Sequence, residues 1–331
     1  MNTVILDAAT LIPVNKRINS DIYLDRDSWD IQPEKLINST DNIQCYLHTS
    51  ESQRLERCKD AEIIITNKVI LDDNLLKQLP KLKLICIAAT GYNNIDIESA
   101  KNHNIAVANV AGYSTSSVVQ ICFNLILNLV LYWESLQEKM NAHAWQEHDQ
   151  FVLLPRAFNE LSGKTMGIIG YGTIGKSVAN VAKSFGMKVI KAQIPGRKQQ
   201  NNRLALNEFI PQCDIISLHC PLTPQTNKLV NAEFLSQMKT TAFLINTARG
   251  GLIDEQALAD CLINKKIAGA GLDVLTTEPP KDTNPLLQNV PNLLITPHIG
   301  WASYEARQRL INEIADNILA FKLQQRRNRI V

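Results

Sequence analysis

Short apolar runs punctuate this chain, and the stretches between them carry apolar residues at helical rather than alternating spacing. In the first third the runs fall at 4–6, 45–48, 63–66, 84–88 and 106–108, with helix-like stretches at 52–58, 72–79 and 97–103. Strands that alternate with helices predict a parallel sheet flanked by helices, because a parallel pair needs a crossover connection. Beyond residue 160 the alternation resumes, with runs at 165–169, 187–190, 214–218, 242–246, 269–273 and 292–296. Helical stretches accompany them at 176–185, 231–238, 254–264 and 303–323. The expected fold class is α/β, with two parallel-sheet units. The longest apolar stretch, 118–132, is interrupted by Gln120, Asn124 and Asn128. It reads as a buried helix, since a membrane span takes about 20 mostly apolar residues. Residues 133–160 are rich in aromatics and lack strand signals. They fit either a surface loop and helix or a dimerisation arm.

At 331 residues the chain is long enough for two cores. Connecting pieces at 109–115 and 297–301 divide it into a discontinuous unit, 1–110 plus 300–331, and an inserted unit, 111–299. The last helix is expected to return to the first unit, with a cleft where the connections pass. A hydrophobic fraction of 45% and a charged fraction of 20% are ordinary for a globular protein. Lys plus Arg number 34 and Asp plus Glu 32, a net charge of +2 that favours neither nucleic acid nor a membrane surface. The basic end Arg326-Arg327-Asn328-Arg329 reads as a solvated tail. Seven cysteines (45, 58, 86, 122, 213, 220 and 261) are scattered, several of them inside apolar runs. They show neither C-x-x-C nor Cys/His ligand spacing, which predicts small buried hydrophobes, a reducing compartment and no metal. The start, Thr3-Val4-Ile5-Leu6-Asp7, is strand-like and not a leader. The expectation is a soluble, cytoplasmic protein.

The run Gly170-Tyr171-Gly172-Thr173-Ile174-Gly175 follows one apolar run, opens a helical stretch and precedes a second apolar run. Strand, Gly-rich turn, helix and strand form the context in which G-x-G-x-x-G binds a dinucleotide. The first glycine permits the tight turn and the second lets the backbone approach a pyrophosphate. The third lets helix and strand pack closely, while the helix N-terminus offers free N–H groups. Tyr171 and the polar run 199–202 read as an exposed turn residue and a crossover loop.

Ligands of open α/β sheets bind outside the C-terminal ends of the strands. Just past those ends lie Thr247-Ala248-Arg249, Asp273 with Glu278 soon after, and Pro297-His298. A hydride delivered to a ketone carbon leaves charge on oxygen, which must collect a proton, and an imidazolium is a suitable donor. A carboxylate beside it stabilises the charged ring. A guanidinium can grip a 2-oxo acid and polarise its carbonyl. This predicts His298 as acid/base, Glu278 as its partner and Arg249 as substrate clamp.

At these residues the chain resembles the D-isomer-specific 2-hydroxyacid dehydrogenases, over nearly its whole length. The resemblance includes Ala88-Ala89-Thr90-Gly91-Tyr92-Asn93-Asn94-Ile95-Asp96, Asn109-Val110-Ala111-Gly112-Tyr113-Ser114 and the fingerprint with its lead-in 160–165. Leu218-His219-Cys220-Pro221-Leu222-Thr223-Pro224-Gln225-Thr226 belongs to it as well. Within the family, residues 295–303 and 305–309 are most similar to bacterial glycerate dehydrogenases, also called hydroxypyruvate reductases. The resemblance implies two Rossmann-like domains, an active-site cleft between them and a homodimer formed largely by the cofactor domains. It implies that backbone amides around Thr90, Gly91 and Tyr92 receive the substrate carboxylate. Thr173 and Ile174 would meet the pyrophosphate, and Cys220, Pro221 and Thr226 would line the adenine side. Thr247, Ala248 and Asp273 would hold the nicotinamide, with Gly300 nearby.

One position departs from the NAD pattern. The strand after the fingerprint helix should end in Asp or Glu to bind the adenosine ribose. Here it ends at Gln193, followed by Arg197 and Lys198. An acid would repel a 2′-phosphate, whereas Gln193 is neutral and either cation could pair with one. Gln193 could equally bond a ribose hydroxyl, so NAD(H) and NADP(H) both stay open. The expected activity is reduction of hydroxypyruvate to D-glycerate, with glyoxylate as a second substrate. The alternatives are a reductase of D-lactate type or of bulkier 2-oxo acids, and a non-catalytic dinucleotide sensor. A phosphoglycerate dehydrogenase with its C-terminal regulatory domain fits less well, as does a formate dehydrogenase, which has Gln in place of Glu278.

Overall fold

In the computed structural model, which describes residues 1–11, 21–22 and 30–331, each apolar run becomes a strand. Residues 12–20 and 23–29 of the 1–110 segment lie outside the described residues. One sheet contains β1 (Asn2–Ile5), β2 (Asp21–Ile22), β3 (Asn42–Tyr46), β4 (Ile63–Thr66), β5 (Leu84–Ile87) and β6 (Ala106–Ala108). Its order is β2-β3-β1-β4-β5-β6. The strand expected at 45–48 starts earlier, because pairing with β1 begins at Asn2↔Asn42. The sheet is not wholly parallel: β2 runs antiparallel to β3 at the edge. Two residues are too short to make an apolar run, so this strand left no signal in the sequence.

The second sheet contains β7 (Thr165–Ile169), β8 (Lys188–Lys191), β9 (Ile215–Leu218), β10 (Phe243–Asn246), β11 (Gly269–Leu272) and β12 (Leu293–Ile295). All its pairs are parallel, in the order β12-β11-β10-β9-β7-β8. By contact the chain divides into two compact units, Met1–Ser114 with Ala302–Val331, and Thr115–Trp301. Central strands are buried on both faces, as parallel sheets covered by helices require. Ile63, Ile64 and Ile65 of β4 are fully buried, each stabilising the fold by roughly 1.5–3 kcal/mol relative to exposure.

Helices begin where side-chain oxygens can accept the first free N–H groups. Asp72, Asp96, Asn231, Asp254 and Ser303 each accept from the backbone N–H three residues on. The apolar stretch at 118–132 is the helix Thr115–Leu131, and it packs on β11. The glycines of β11 permit that approach, since a Cβ on Gly271 would lie 2.9 Å from Leu125 Cβ. Residues 133–160 form the helix Trp133–Asn141 and then turns, with Trp145, Phe151, Leu154 and Phe158 exposed. No single helix among the described residues is long and apolar enough to cross a membrane.

In the second sheet β7 is followed by β8 on one side and β9 on the other. The crevice that such a reversal opens at the C-terminal ends of β7 and β9 is where open α/β sheets bind ligands.

Candidate active site

β7 runs directly into Gly170, whose φ of +103° suits glycine alone. A Cβ there would lie 2.4 Å from the backbone of His219 and Cys220, and one on Gly175 would lie 2.0 Å from the Gly170 carbonyl oxygen. These two glycines let the helix Thr173–Ser184 start tightly against β7 and the segment after β9. Gly172 differs, because nothing lies within 4 Å of its Cβ position. It is the helix N-cap and supplies no side-chain cap. The N–H groups of Thr173 and Ile174 therefore have no acceptor within the helix, and they lie at the positive end of its dipole beside open space. That arrangement fits a pyrophosphate.

The strand ends of β10, β11 and β12 carry the remaining chemistry. Asn246, fully buried, accepts from the Ala248 N–H at 3.0 Å and donates to the Arg249 carbonyl at 2.9 Å. This folds a tight turn that leaves Arg249 exposed, with Nη1 donating to the Ala248 carbonyl at 2.6 Å. Thr247 is buried, and its hydroxyl has no partner among the described residues. Buried polar groups are normally satisfied, so this orphan beside Arg249 fits a polar group of a bound ligand.

Asp273 is buried and ties down the segment after β12. Its Oδ1 accepts from the Thr296 hydroxyl at 2.5 Å and the Ile299 N–H at 2.9 Å, and its Oδ2 from the Gly300 N–H at 2.8 Å. Gly300 is required there, as a Cβ would sit 2.7 Å from Oδ2. His298 is carried between these pinned positions with a φ of +54°, a left-handed conformation that costs a non-glycine residue about 1–3 kcal/mol. Its Nδ1 lies 2.6 Å from Glu278 Oε2. An ionised carboxylate only accepts, so Nδ1 carries the proton of this bond and Nε2 is the nitrogen left to exchange. Glu278 is itself oriented by the Leu275 N–H, which donates to Oε1 at 3.0 Å. The paired side chains are 29% and 32% exposed, so a small substrate can reach them.

A cavity of about 600 Å³ opens beside the Gly-rich turn. Gly170, Gly172, Arg197 and Pro221, four of the residues expected to meet the cofactor, line it. So do Tyr171, Gln200 and Asn201, which the sequence suggested were a plain turn and crossover loop, and Lys176, Lys191, Arg203 and His219. Lys191 and Arg203 escaped sequence reasoning because they belong to no motif, and His219, although inside the motif 218–226, was given no role there. Asn246 and Thr296 were also missed; a buried polar residue at a strand end was the available signal.

Other expected cofactor residues act mainly on their own loops. The Gln193 carboxamide donates to the Arg197 carbonyl at 2.9 Å and the Lys198 carbonyl at 3.1 Å, and accepts from the Gln200 N–H at 3.2 Å. Lys198 is exposed and does not line the cavity. Thr226 is buried and donates to the Pro221 carbonyl at 2.7 Å, which shapes the 221–226 loop. Cys220 is buried, and burial pushes its thiol up to about 11; it is a wall and not a nucleophile.

In the other unit, Thr90, Gly91 and Tyr92 follow β5. The Thr90 hydroxyl donates to the Val110 carbonyl at 3.0 Å and Asn109 donates to the Thr90 carbonyl at 2.7 Å. These bonds fix the loop, while the N–H groups of Thr90, Gly91 and Tyr92 have no acceptor among the described residues. A carboxylate oxygen about 2.7–3.2 Å from these nitrogens would complete their hydrogen bonds. Among the described residues no cluster of His, Cys, Asp and Glu could hold a metal.

Residues 123–300 match the family described as D-isomer specific 2-hydroxyacid dehydrogenase, NAD binding domain. The glycerate dehydrogenase of Methylorubrum extorquens is 41% identical, over 91% of this chain and 95% of that one. The hydroxypyruvate reductase of Blautia hydrogenotrophica is 38% identical, over 82% of this chain and 86% of that one. Among solved structures, an acyclic imino acid reductase in complex with NADPH and D-Arg superposes with a TM-score of 0.82 and 31% identity, covering 100% of both chains. The fold, the fingerprint at the sheet reversal and these relationships agree: the chain belongs to the D-isomer specific 2-hydroxyacid dehydrogenases, oxidoreductases that use a nicotinamide dinucleotide at a CH–OH group.

Proposed function

We propose that this enzyme reduces hydroxypyruvate to D-glycerate, and glyoxylate to glycolate as a second reaction. The observation that carries the chemistry is the His298–Glu278 pair, 2.6 Å apart on a segment pinned by Asp273. The choice of substrate is supported by the likeness to a glycerate dehydrogenase and a hydroxypyruvate reductase. Arg249 grips the 2-oxo acid and polarises its carbonyl, using the guanidinium donors left beyond its bond to Ala248. The N–H groups of Thr90, Gly91 and Tyr92 receive the carboxylate. When bound, the reduced nicotinamide supplies the hydride. His298 gives its Nε2 proton to the carbonyl oxygen, and the Glu278 carboxylate stabilises the charged ring before transfer. In the oxidative direction His298 takes that proton back.

Thr173 and Ile174 hold the pyrophosphate, Cys220, Pro221 and Thr226 bound the adenine side, and Thr247, Ala248, Asp273 and Gly300 hold the nicotinamide end. Gln193, Arg197 and Lys198 occupy the ribose end, where NAD(H) and NADP(H) are distinguished. The exposed aromatics of 133–160 support a homodimer built on that arm, and seven free, buried thiols support a reducing, cytoplasmic setting. An assay at 340 nm with hydroxypyruvate, glyoxylate, pyruvate and bulkier 2-oxo acids, each with NADH and NADPH, tests the reading. Hydroxypyruvate should give the highest kcat/KM. A higher value for pyruvate or a bulkier acid would move the enzyme to another branch of the family, and no oxidation of either cofactor would make it a sensor.

A further inference from the structure

We propose that Lys191, Arg203 and Arg197 form a subsite for the 2′-phosphate of NADP(H), with Gln193 as the strut that builds it. The inference rests on the dinucleotide reading and names the cofactor which that reading leaves open. In this class of fold the adenosine ribose lies just past the strand that follows the Gly-rich helix, where an acid selects NAD. That strand is β8, which ends at Lys191. No carboxylate lines the cavity beyond it, whereas Lys176, Lys191, Arg197 and Arg203 all do. None of these four cations has an ion-pair partner among the described residues.

Lys176, in the first turn of the helix Thr173–Ser184, is placed with the helix N-terminus for the pyrophosphate. The other three gather at the ribose end. Lys191 and Arg203 are half-buried, and each is oriented by a neighbour. Lys191 Nζ stands 4.8 Å from the centre of the Tyr171 ring, and Arg203 Nη1 reaches the Ala192 carbonyl at 3.4 Å. Half-buried cations that face a cavity without a counter-charge are a poor arrangement for the protein alone and a good one for a phosphate dianion.

Arg197 is set by the turn Ile194-Pro195-Gly196-Arg197, in which Gly196 has a φ of +75° and the Arg197 N–H donates to the Ile194 carbonyl at 3.3 Å. Gln193 closes this turn from within, through the bonds to the carbonyls of Arg197 and Lys198 and to the Gln200 N–H. A carboxylate in its place would lack both donors and would add the charge that repels a 2′-phosphate. Gln193 thus does its work on the protein side, and the ribose end is left to the cations.

The experiment is calorimetric titration of the intact protein with adenosine 2′,5′-bisphosphate and with 5′-AMP, which differ only in the 2′-phosphate. The bisphosphate should bind at least about tenfold more tightly, and Arg203→Ala and Lys191→Ala should each lower its affinity by about tenfold. Both variants should keep 5′-AMP binding within about twofold, which also reports that they fold, and Arg203→Lys should recover part of the loss. Gln193→Leu, which removes the strut without adding charge, should reduce the bisphosphate preference as well. Equal affinity for the two ligands in the wild type, or an unchanged ratio in the Lys191→Ala/Arg203→Ala double variant, overturns the subsite. Hydroxypyruvate turnover with NADH alongside equal affinities would overturn the subsite and spare the broader reading; failure of both ligands to bind would overturn both.

Discussion

The Thr296 hydroxyl, on the segment that carries His298, donates to Asp273, so its removal should loosen the imidazole proposed as acid/base without touching the ring. Thr296→Val should lower kcat by roughly fivefold, the worth of about 1 kcal/mol, while cofactor affinity measured by fluorescence titration stays near wild type. His298→Ala should abolish turnover and leave dinucleotide binding intact; near-normal turnover would remove His298 from the mechanism. Glu278→Gln should lower kcat while cofactor affinity stays near wild type, because the ring loses the carboxylate that accepts from Nδ1. His219 makes a separate, stability-linked prediction. Burial pushes its imidazole from 6.5 down to about 4. Between those values the unfolded chain binds the proton and the folded one resists it, so stability falls as pH drops from about 6.5 toward about 4. His219→Gln should flatten that loss in urea midpoints taken at several pH values. At this scale the sequence could single out Arg249, Glu278 and His298 because each lies within about six residues of a strand end. Lys191 and Arg203 were not, because they meet only when the loop between them folds back and Leu204 bridges to Ala192.

The strand–turn–helix at 165–184 reads in sequence as one motif, yet its glycines serve separate ends. A methyl on Gly175 meets the Gly170 carbonyl at 2.0 Å, whereas Gly172 faces open space. Gly175→Ala should therefore destabilise the fold by about 1–3 kcal/mol and lower the melting temperature. Gly172→Ala should leave the melting temperature close to wild type but weaken cofactor binding, since its new methyl projects where the pyrophosphate is proposed to lie. Equal melting temperatures for the two variants would contradict this division. The apolar runs revealed nearly every strand because parallel strands are buried on both faces. The edge strand β2 and the short helices Glu34–Asn38 and Leu206–Phe209 escaped notice, being too brief to establish a period.

For the whole molecule, the two-unit organisation was visible in the repeated alternation of strand and helix, whereas the aromatic segment read equally as a surface loop and helix or as a dimerisation arm. Phe151 is 90% exposed and Leu154 62%, a cost that a second copy would remove. With the homodimer proposed above, light scattering should give a dimer mass for the wild type and a shift toward monomer for the double variant Phe151→Ser/Leu154→Ser; an unchanged mass would take the arm out of the proposed interface. Stability and catalysis also meet in one backbone angle. The left-handed His298 holds its place against its own conformational preference, and alanine at that position would suffer the same strain while glycine would not. His298→Gly and His298→Ala should be equally inactive, but the glycine protein should be the more stable by about 1 kcal/mol. The protein would thus be sturdier without the imidazole proposed as its acid/base, a trade in which function is kept at the expense of thermal endurance.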